Sequence, residues 1–260
     1  MRPNPVKRKL LEGGKSYGTF VGEFFTPGLP QILRNGGAEF AIFDMEHSGA
    51  SIETLKQQFS YCRGIGLVPL ARPPQHDYHF LARLLDVGAM GLEVPMVETA
   101  EQAREIVSFM RYPPLGRRGV AFGGSAHDDY QGGDLAELMA AENERTLLIC
   151  LIETAQGIAN ADEIAAVDGV DVLWLGQVDL TCSMGIPGDY ASPAYLEAVD
   201  ILLAACKRHG KVAGMTPFDE AWARDYMRRG FRMVAWSSDT RMLKNALTAG
   251  ISTLRRIEAE

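Results

Sequence analysis

Several side chains of this sequence that can do acid–base or metal chemistry stand directly behind short apolar runs. Asp44, Glu46 and His47 close the run in FAIFDMEHSG, Arg72 closes VPLARPP, Glu153 ends LLICLIE, and Asp179 follows VDVLWLG closely. Two carboxylates from adjacent strands, with water and substrate oxygens completing the shell, hold a hard divalent cation such as Mg²⁺ or Mn²⁺. Such an ion acts as a Lewis acid on a carbonyl group. An arginine beside it binds a carboxylate or stabilises a developing oxyanion, and a neutral histidine moves protons near pH 7. Each residue also has an ordinary structural reading. Glu153 or Asp179 caps the following helix, His47 is a satisfied structural histidine, and Arg72 pairs with a nearby acid. Asp44 and Glu46, two apart and so on one face of a strand end, hold local backbone or an arginine. What favours a shared site is that all of them fall at the same kind of position.

That position follows from the elements. Short apolar or β-branched runs alternate with longer amphipathic segments along the whole chain. Strands are expected near Tyr17–Glu23, Phe40–Met45, Leu67–Ala71, Gly91–Pro95, Thr146–Ile152, Val170–Leu175, Val212–Met215 and Met233–Trp236. Helices are expected over Leu29–Gly36, Ser51–Cys62, Tyr78–Val87, Ala100–Met110, Gln156–Val167, Pro193–His209, Glu220–Arg229 and Thr240–Ile251. TLLICLIE and VDVLWLG are apolar throughout, as in parallel strands buried on both faces. Eight strand–helix units predict a single α/β domain over residues 1–260, a (β/α)8 barrel of the TIM type, with a doubly wound open sheet as the alternative. In such a barrel the chemistry sits at the C-terminal ends of the strands, where these polar residues fall. One segment breaks the rhythm: Arg111–Arg145, after the fourth of the paired helices, has a single short helical signal at Asp134–Ala141. It is expected to be a cap over the barrel mouth or a subunit contact, and GGSAHDDYQGG within it a solvated mobile loop.

Composition narrows the function classes. The 260 residues carry a net charge of −7, with 47% hydrophobic and 23% charged residues. That disfavours a nucleic-acid binder, and no apolar run approaches the ~18 to 20 residues of a membrane span. The basic start, Met1–Lys9, has no apolar stretch behind it and does not read as a secretory signal. Cys62, Cys150, Cys182 and Cys206 form no C-x-x-C pair, which points to a reducing cytoplasm rather than a disulfide framework. None of Lys7, Lys9, Lys15, Lys56, Lys207, Lys211 and Lys244 lies at the C-terminal end of an expected strand, which argues against a Schiff-base enzyme. GGKS at Gly13–Ser16 lacks the first glycine and the preceding strand of a phosphate loop, and no G-x-G-x-x-G follows the first strand.

The motifs FDMEHSG, ARPP, LLDVGAMGLEVPMVETAEQAREIV, RYPPLGRRGV, IETAQGIANADEIAAVDGVDVLWLG and VDL, spread from about Gly18 to Leu243, resemble the HpcH/HpaI aldolase family. These are metal-dependent, class II pyruvate aldolases of the 2-keto-3-deoxy-sugar-acid and 4-hydroxy-2-oxo-heptanedioate type. The resemblance implies a carbon–carbon lyase that splits such an acid into pyruvate and an aldehyde through a metal-bound enolate, with no organic cofactor. It implies Glu153 and Asp179 as ligands of Mg²⁺, Mn²⁺ or Co²⁺, and His47 as the base. Asp86 would orient that histidine and raise its basicity, and Arg72 would bind pyruvate and stabilise its enolate. Backbone amides around Gly176, Gln177 and Val178 would hold the carboxylate. It also implies a homo-oligomer, a hexamer or trimer, with the last helix exchanged between neighbours. The chain departs from the pattern at Gly176-Gln177-Val178-Asp179-Leu180, where the family reads GPADL, and at Glu46-His47-Ser48-Gly49, where it reads EHAP. Leu151 replaces a common glutamine, and Phe122 and Ala126 replace a small polar residue and an arginine. The altered residues face the substrate, so the acceptor is open. Alternatives are an enolate-forming enzyme acting on an acyl-CoA thioester or another acceptor, with Arg117–Arg118 as its candidate basic patch, or a non-catalytic oxo-acid-binding protein. A barrel metallohydrolase would want more histidine ligands than His47 supplies.

Overall fold

The computed structural model describes residues 1–260. Eight strands, β1 (Ser16–Val21), β2 (Phe40–Asp44), β3 (Val68–Arg72), β4 (Gly91–Val94), β5 (Leu147–Ile152), β6 (Val172–Leu175), β7 (Val212–Met215) and β8 (Met233–Ser238), close a parallel barrel in sequence order. The helices are α1 (Pro5–Leu11), α2 (Leu29–Asn35), α3 (Ile52–Tyr61), α4 (Tyr78–Asp86), α5 (Ala100–Met110), α6 (Leu135–Arg145), α7 (Ala155–Ala159), α8 (Ala161–Ala165), α9 (Gln177–Ser183), α10 (Pro193–Arg208), α11 (Glu220–Arg229) and α12 (Asp239–Glu258). No helix is long and apolar enough to cross a membrane, and all four cysteines are free.

The alternation of each strand divides the core in two. Outward residues such as Phe43, Leu92, Cys150 and Leu173 join the inner faces of the helices, while Ile42, Leu70, Ile149, Trp174 and Met233 fill the barrel. Large side chains need small ones opposite. A Cβ on Gly214 would stand 2.2 Å from Cε3 of Trp174, so glycine is what lets that indole fit. Helix starts are fixed by side chains already visible in the sequence: Ser51 caps α3, Asp77 caps α4, and Thr99 with Gln102 makes a capping box on α5.

Several elements differ from expectation, among them α9 (Gln177–Ser183), a helix the sequence pattern does not show, and α12, which runs on past Ile251 to Glu258. The unassigned N-terminus forms α1, whose Val6 and Leu10 plug the lower end of the barrel, while Asn4 caps it and donates to the Met90 and Arg145 carbonyls. A helix of seven residues is held by that burial, not by its own propensity. The helix expected over Gln156–Val167 is two short pieces that meet at Asn160, whose side-chain amide donates to the Glu98 carbonyl. The segment from Arg111 to Arg145 lies away from this chain's own cavity and is only partly solvated, with Gly123, Gly124, Tyr130 and Gln131 exposed. It runs from the end of α5 to the start of β5, so it packs beneath the barrel with α1, and none of it lines the cavity described below. Its His127 and Asp128 are buried. Asp128 accepts the amides of Gly123, Tyr130 and Gly132, and Tyr112 pairs with His127 through its hydroxyl.

Candidate active site

The strand ends surround an open cavity of about 400 Å³. Asp44, His47, Arg72, Glu153, Gly176, Gln177, Val178 and Asp179 all line it, so the fold brings to one rim eight residues from four strand ends. Asp86 is not among them.

Arg72 is the best-determined group. Its register partner across the sheet is Asp44, and the two are joined by a fork, Nε to Oδ1 at 2.8 Å and Nη2 to Oδ2 at 2.7 Å. Nε also lies 3.2 Å from Oε2 of Glu46, and the guanidinium stands over the Phe20 ring at 5.3 Å. Nη1 makes no hydrogen bond within the chain and is the atom left for a ligand. Asp44 also accepts the Glu46 backbone amide. Burial alone would raise its pKa, but the bonds and charge of Arg72 win, and its carboxyl is held below the usual range. Glu46 goes the other way, pushed up by burial against the opposing pull of Arg72. The bland reading of Asp44 and Glu46 is therefore the observed one: they hold backbone and an arginine, and through that arginine they shape the site. His47 is exposed at the mouth, its Nε2 3.8 Å from Glu46 Oε2.

Glu153 caps nothing; the cap of α7 is Thr154. Its Oε1 accepts the Met96 backbone N–H at 2.8 Å. Met96 presents that amide from a left-handed backbone, φ 55°, a conformation seldom kept by such a residue without a reason nearby. Oε2 is left free and faces Gly176, where a Cβ would stand 2.9 Å from it and 2.5 Å from the Glu153 Cβ. Burial raises the Glu153 pKa to about 7, assisted by the charges of Glu46 and Asp179. Asp179, in the first turn of α9, is exposed to the cavity and makes no hydrogen bond. A cation between these two carboxylates would relieve their mutual repulsion and the burial of Glu153, so the donor set fits a hard divalent ion. No group of three or more His, Cys, Asp or Glu side chains gathers to hold one here or anywhere else in the chain, so two protein ligands would leave most of the shell to water and substrate, as Mg²⁺-type sites do.

The opening N–H groups of α9 have no acceptor inside the helix, and its Gly176 cap supplies no side chain. Gln177 lines the cavity there, with its side-chain N–H donating to the Thr216 carbonyl at 2.6 Å.

Two sequence expectations are relocated. Asp86 ends α4 at the opposite face of the barrel and accepts from Nη2 of Arg118 at 2.7 Å, so within one chain it does not reach His47. Arg118 is fully buried between Asp86 and Glu142, and Arg117 lies against Glu105 on the same lower face; neither makes a basic patch for CoA at the cavity. The cavity is also lined by charged residues that the sequence reading does not single out, Glu93, Asp239 and Arg241 among them. Glu93, in the middle of β4, is buried against the cavity floor, and burial raises its pKa to about 8 even with Arg72 opposing. The signal in the sequence was an acid inside an apolar run, GLEVP.

The family model described as HpcH/HpaI aldolase/citrate lyase matches residues 20–246. The chain is 37% identical to a hydroxypyruvate/pyruvate aldolase of Delftia acidovorans over 98% of this chain and 94% of that protein. It is 32% identical to a 2-keto-3-deoxy-L-rhamnonate aldolase of Klebsiella pneumoniae over 99% and 95%. The crystal structure of an HpcH/HpaI aldolase from Desulfitobacterium hafniense superposes with a TM-score of 0.91 at 31% identity, covering 96% of both chains. With its closed barrel, its rim of carboxylates and its forked arginine, the chain belongs to the HpcH/HpaI aldolase/citrate lyase family.

Proposed function

We propose that this chain is a divalent-metal-dependent aldolase that reversibly cleaves a 4-hydroxy-2-oxo acid or 2-keto-3-deoxy acid to a pyruvate-type oxo acid and an aldehyde. The observation that carries the reading is the free Nη1 of Arg72, held by Asp44 over the same cavity that Glu153 and Asp179 line. Mg²⁺, Mn²⁺ or Co²⁺ bound by Glu153 and Asp179 would supply Lewis-acid polarisation of the keto group.

The chain's own groups do the rest. The backbone N–H groups of α9 at Gln177 and Val178, next to the bare Gly176, bind the substrate carboxylate. Arg72 donates from Nη1 to the keto oxygen, where negative charge develops in the transition state. His47 takes the proton of the C4 hydroxyl, directly or through a water. The O–H pair becomes the aldehyde carbonyl, and the C3–C4 bonding pair passes to C2–C3 with the charge on the keto oxygen. Protonation at C3 then releases the oxo acid. Aldol addition is the reverse.

Asp86 can orient His47 only from a second copy. Two features support such an assembly: the carboxylate of Asp86 is partly exposed on the lower face, and α12 leaves Leu243, Leu247, Leu254 and Ile257 in the open. A homo-oligomer, hexamer or trimer, that exchanges α12 and sets one copy's lower face, with its 111–145 segment, against another's mouth would bring the pair together.

The direct test is a Mn²⁺-supplemented retro-aldol screen over 2-keto-3-deoxy acids, with pyruvate release coupled to lactate dehydrogenase. Turnover that requires the ion and disappears in Glu153→Ala supports the reading; turnover by ion-depleted Glu153→Ala refutes it.

A further inference from the structure

The lower face of the barrel holds a second cavity, of about 660 Å³, between the ends of α10 and α11 and the residues that enter β7 and β8. It shares no residue with the catalytic cavity or with the 111–145 segment. Lys207, Lys211, Arg229 and Arg232 line it, with Asp200 as the one acid. Asp200 is already engaged: its Oδ1 accepts from Nη2 of Arg229 at 2.7 Å. The other three cations have no carboxylate partner. Lys211 Nζ donates to the carbonyls of Val167 and Val170, and Arg232 Nη1 to those of Leu10 and Gly14. Lys207 is exposed, with no partner in the chain. A carbonyl satisfies an N–H but leaves the charge unmatched, so three positive charges share one concavity in a chain of net charge −7.

Basic residues gather at helix C-termini because they complement the helix dipole, and that accounts for Lys207 and Arg229 in the last turns of α10 and α11. It does not account for Lys211 and Arg232, each of which stands just before a strand. Both are half-buried and tethered to carbonyls of other elements. Their charges also reach the thiol of Cys206 in the cavity wall, pulling its pKa down against the rise that burial causes. The two heads are therefore held at the cavity before anything binds, which lowers the entropy cost of binding. The rim is open: Gly210 and Gly230, with φ of 65° and 128°, end the two helices without side chains, and a Cβ on Gly210 would meet nothing.

We propose that this cavity is a second binding site, separate from the catalytic one, for the phosphate groups of a phosphorylated small molecule, and that it takes a diphosphate in preference to a monophosphate. A carboxylate carries one charge and two coplanar oxygens, which a single guanidinium fork satisfies. A phosphoryl group carries a charge of about −1.5 to −2 and three accepting oxygens, and a diphosphate spreads more charge over a longer span. Three unmatched cations from two strand entrances and one helix end suit that wider distribution. Lys211 and Arg232 hold the ligand from the wall, and Lys207 closes on it from the exposed side.

The test is calorimetric titration of the full chain with pyrophosphate, inorganic phosphate and malonate, at one ionic strength and with divalent ions chelated so that none bridges an anion to the catalytic cavity. Pyrophosphate is expected to bind once per chain, about tenfold more tightly than phosphate, and malonate, a dicarboxylate of similar charge, more weakly than phosphate. Lys207→Glu touches no other part of the chain and is expected to weaken pyrophosphate about tenfold; Lys211→Met and Arg232→Met are expected to weaken it too. Pyrophosphate should raise the midpoint of thermal unfolding of the parent and not that of Lys207→Glu. If the Lys211 and Arg232 variants do not fold, Lys207→Glu decides. Binding that does not saturate, or that is unchanged in Lys207→Glu, means an adventitious ion only and overturns the proposal. Malonate bound as tightly as phosphate overturns the phosphate class. None of these outcomes bears on the aldolase reading.

Discussion

Asp44 grips Arg72 by both ends of its fork, from the neighbouring strand and in register, with Nε–Oδ1 at 2.8 Å and Nη2–Oδ2 at 2.7 Å. Two donors are thereby fixed and the third nitrogen is aimed. Arg72→Lys keeps the charge and loses the aim. It is expected to lower kcat by about 10²- to 10³-fold, close to Arg72→Ala. Asp44→Asn keeps the shape but weakens the grip, and a smaller fall is expected. Steady-state pyruvate release measures all three, and a fully active Arg72→Lys would show that the fork is not what matters.

Glu153 must be ionised to bind a cation, and burial holds its pKa at about 7 in the metal-free chain. Protons and the ion therefore compete. Below about pH 7 the affinity for Mn²⁺ is expected to fall roughly tenfold per pH unit, and above pH 8 to level off. Calorimetric titration between pH 5.5 and 8.5 gives the slope. Glu153→Gln and Asp179→Asn are expected to lose binding throughout, and chelation of the ion to abolish turnover until Mn²⁺ is restored.

Gly176 is needed for space. A methyl there would stand 2.5 Å from the Glu153 Cβ and 2.9 Å from its Oε2, while its φ of −90° suits any residue. Gly176→Ala is therefore expected to fold and to displace the Glu153 carboxylate. A misplacement of about 1 Å can cost on the order of 10²-fold in rate. Circular dichroism close to that of the parent, together with a weakened Mn²⁺ isotherm, is the expected pair of results; an unchanged isotherm would refute the displacement.

Glu93 should make the protein less stable as pH rises. Its carboxyl is protonated up to about pH 8 in the folded chain, whereas an unfolded glutamate ionises near ~4.3. Between those values the folded state binds the extra proton, so stability is full below the lower value and is lost progressively up to the higher one. Glu93→Leu removes this loss. The stability gap in favour of the variant is expected to widen from pH 5 to pH 8 by at most about 1.4 kcal/mol per unit. Urea unfolding at several pH values measures the gap, and one that does not change with pH would contradict the assignment.

The barrel was legible because its strands are near-continuous apolar runs at regular spacing; β7 and the helices α5 and α11 have the expected ends. The rim followed, since a strand end is a place in the sequence as well as in space. What stayed hidden depends on contacts far along the chain. The seven-residue α1 exists because the barrel floor accepts Val6 and Leu10, and the segment around His127 is buried because Arg145 and Tyr112 bond to it from outside that stretch.

The sequence by itself determined the closed barrel and the set of acids, histidine and arginine at its mouth, because strand period and position behind a strand are local properties. Only the tertiary structure decided their division of labour. Asp44 became the holder of Arg72, Glu153 kept one oxygen for Met96 and freed the other, Asp86 went to the opposite face, and Glu93 came into the floor. Those outcomes depend on which side chains meet across the barrel, where an unmatched charge is costly and a matched one is held in place.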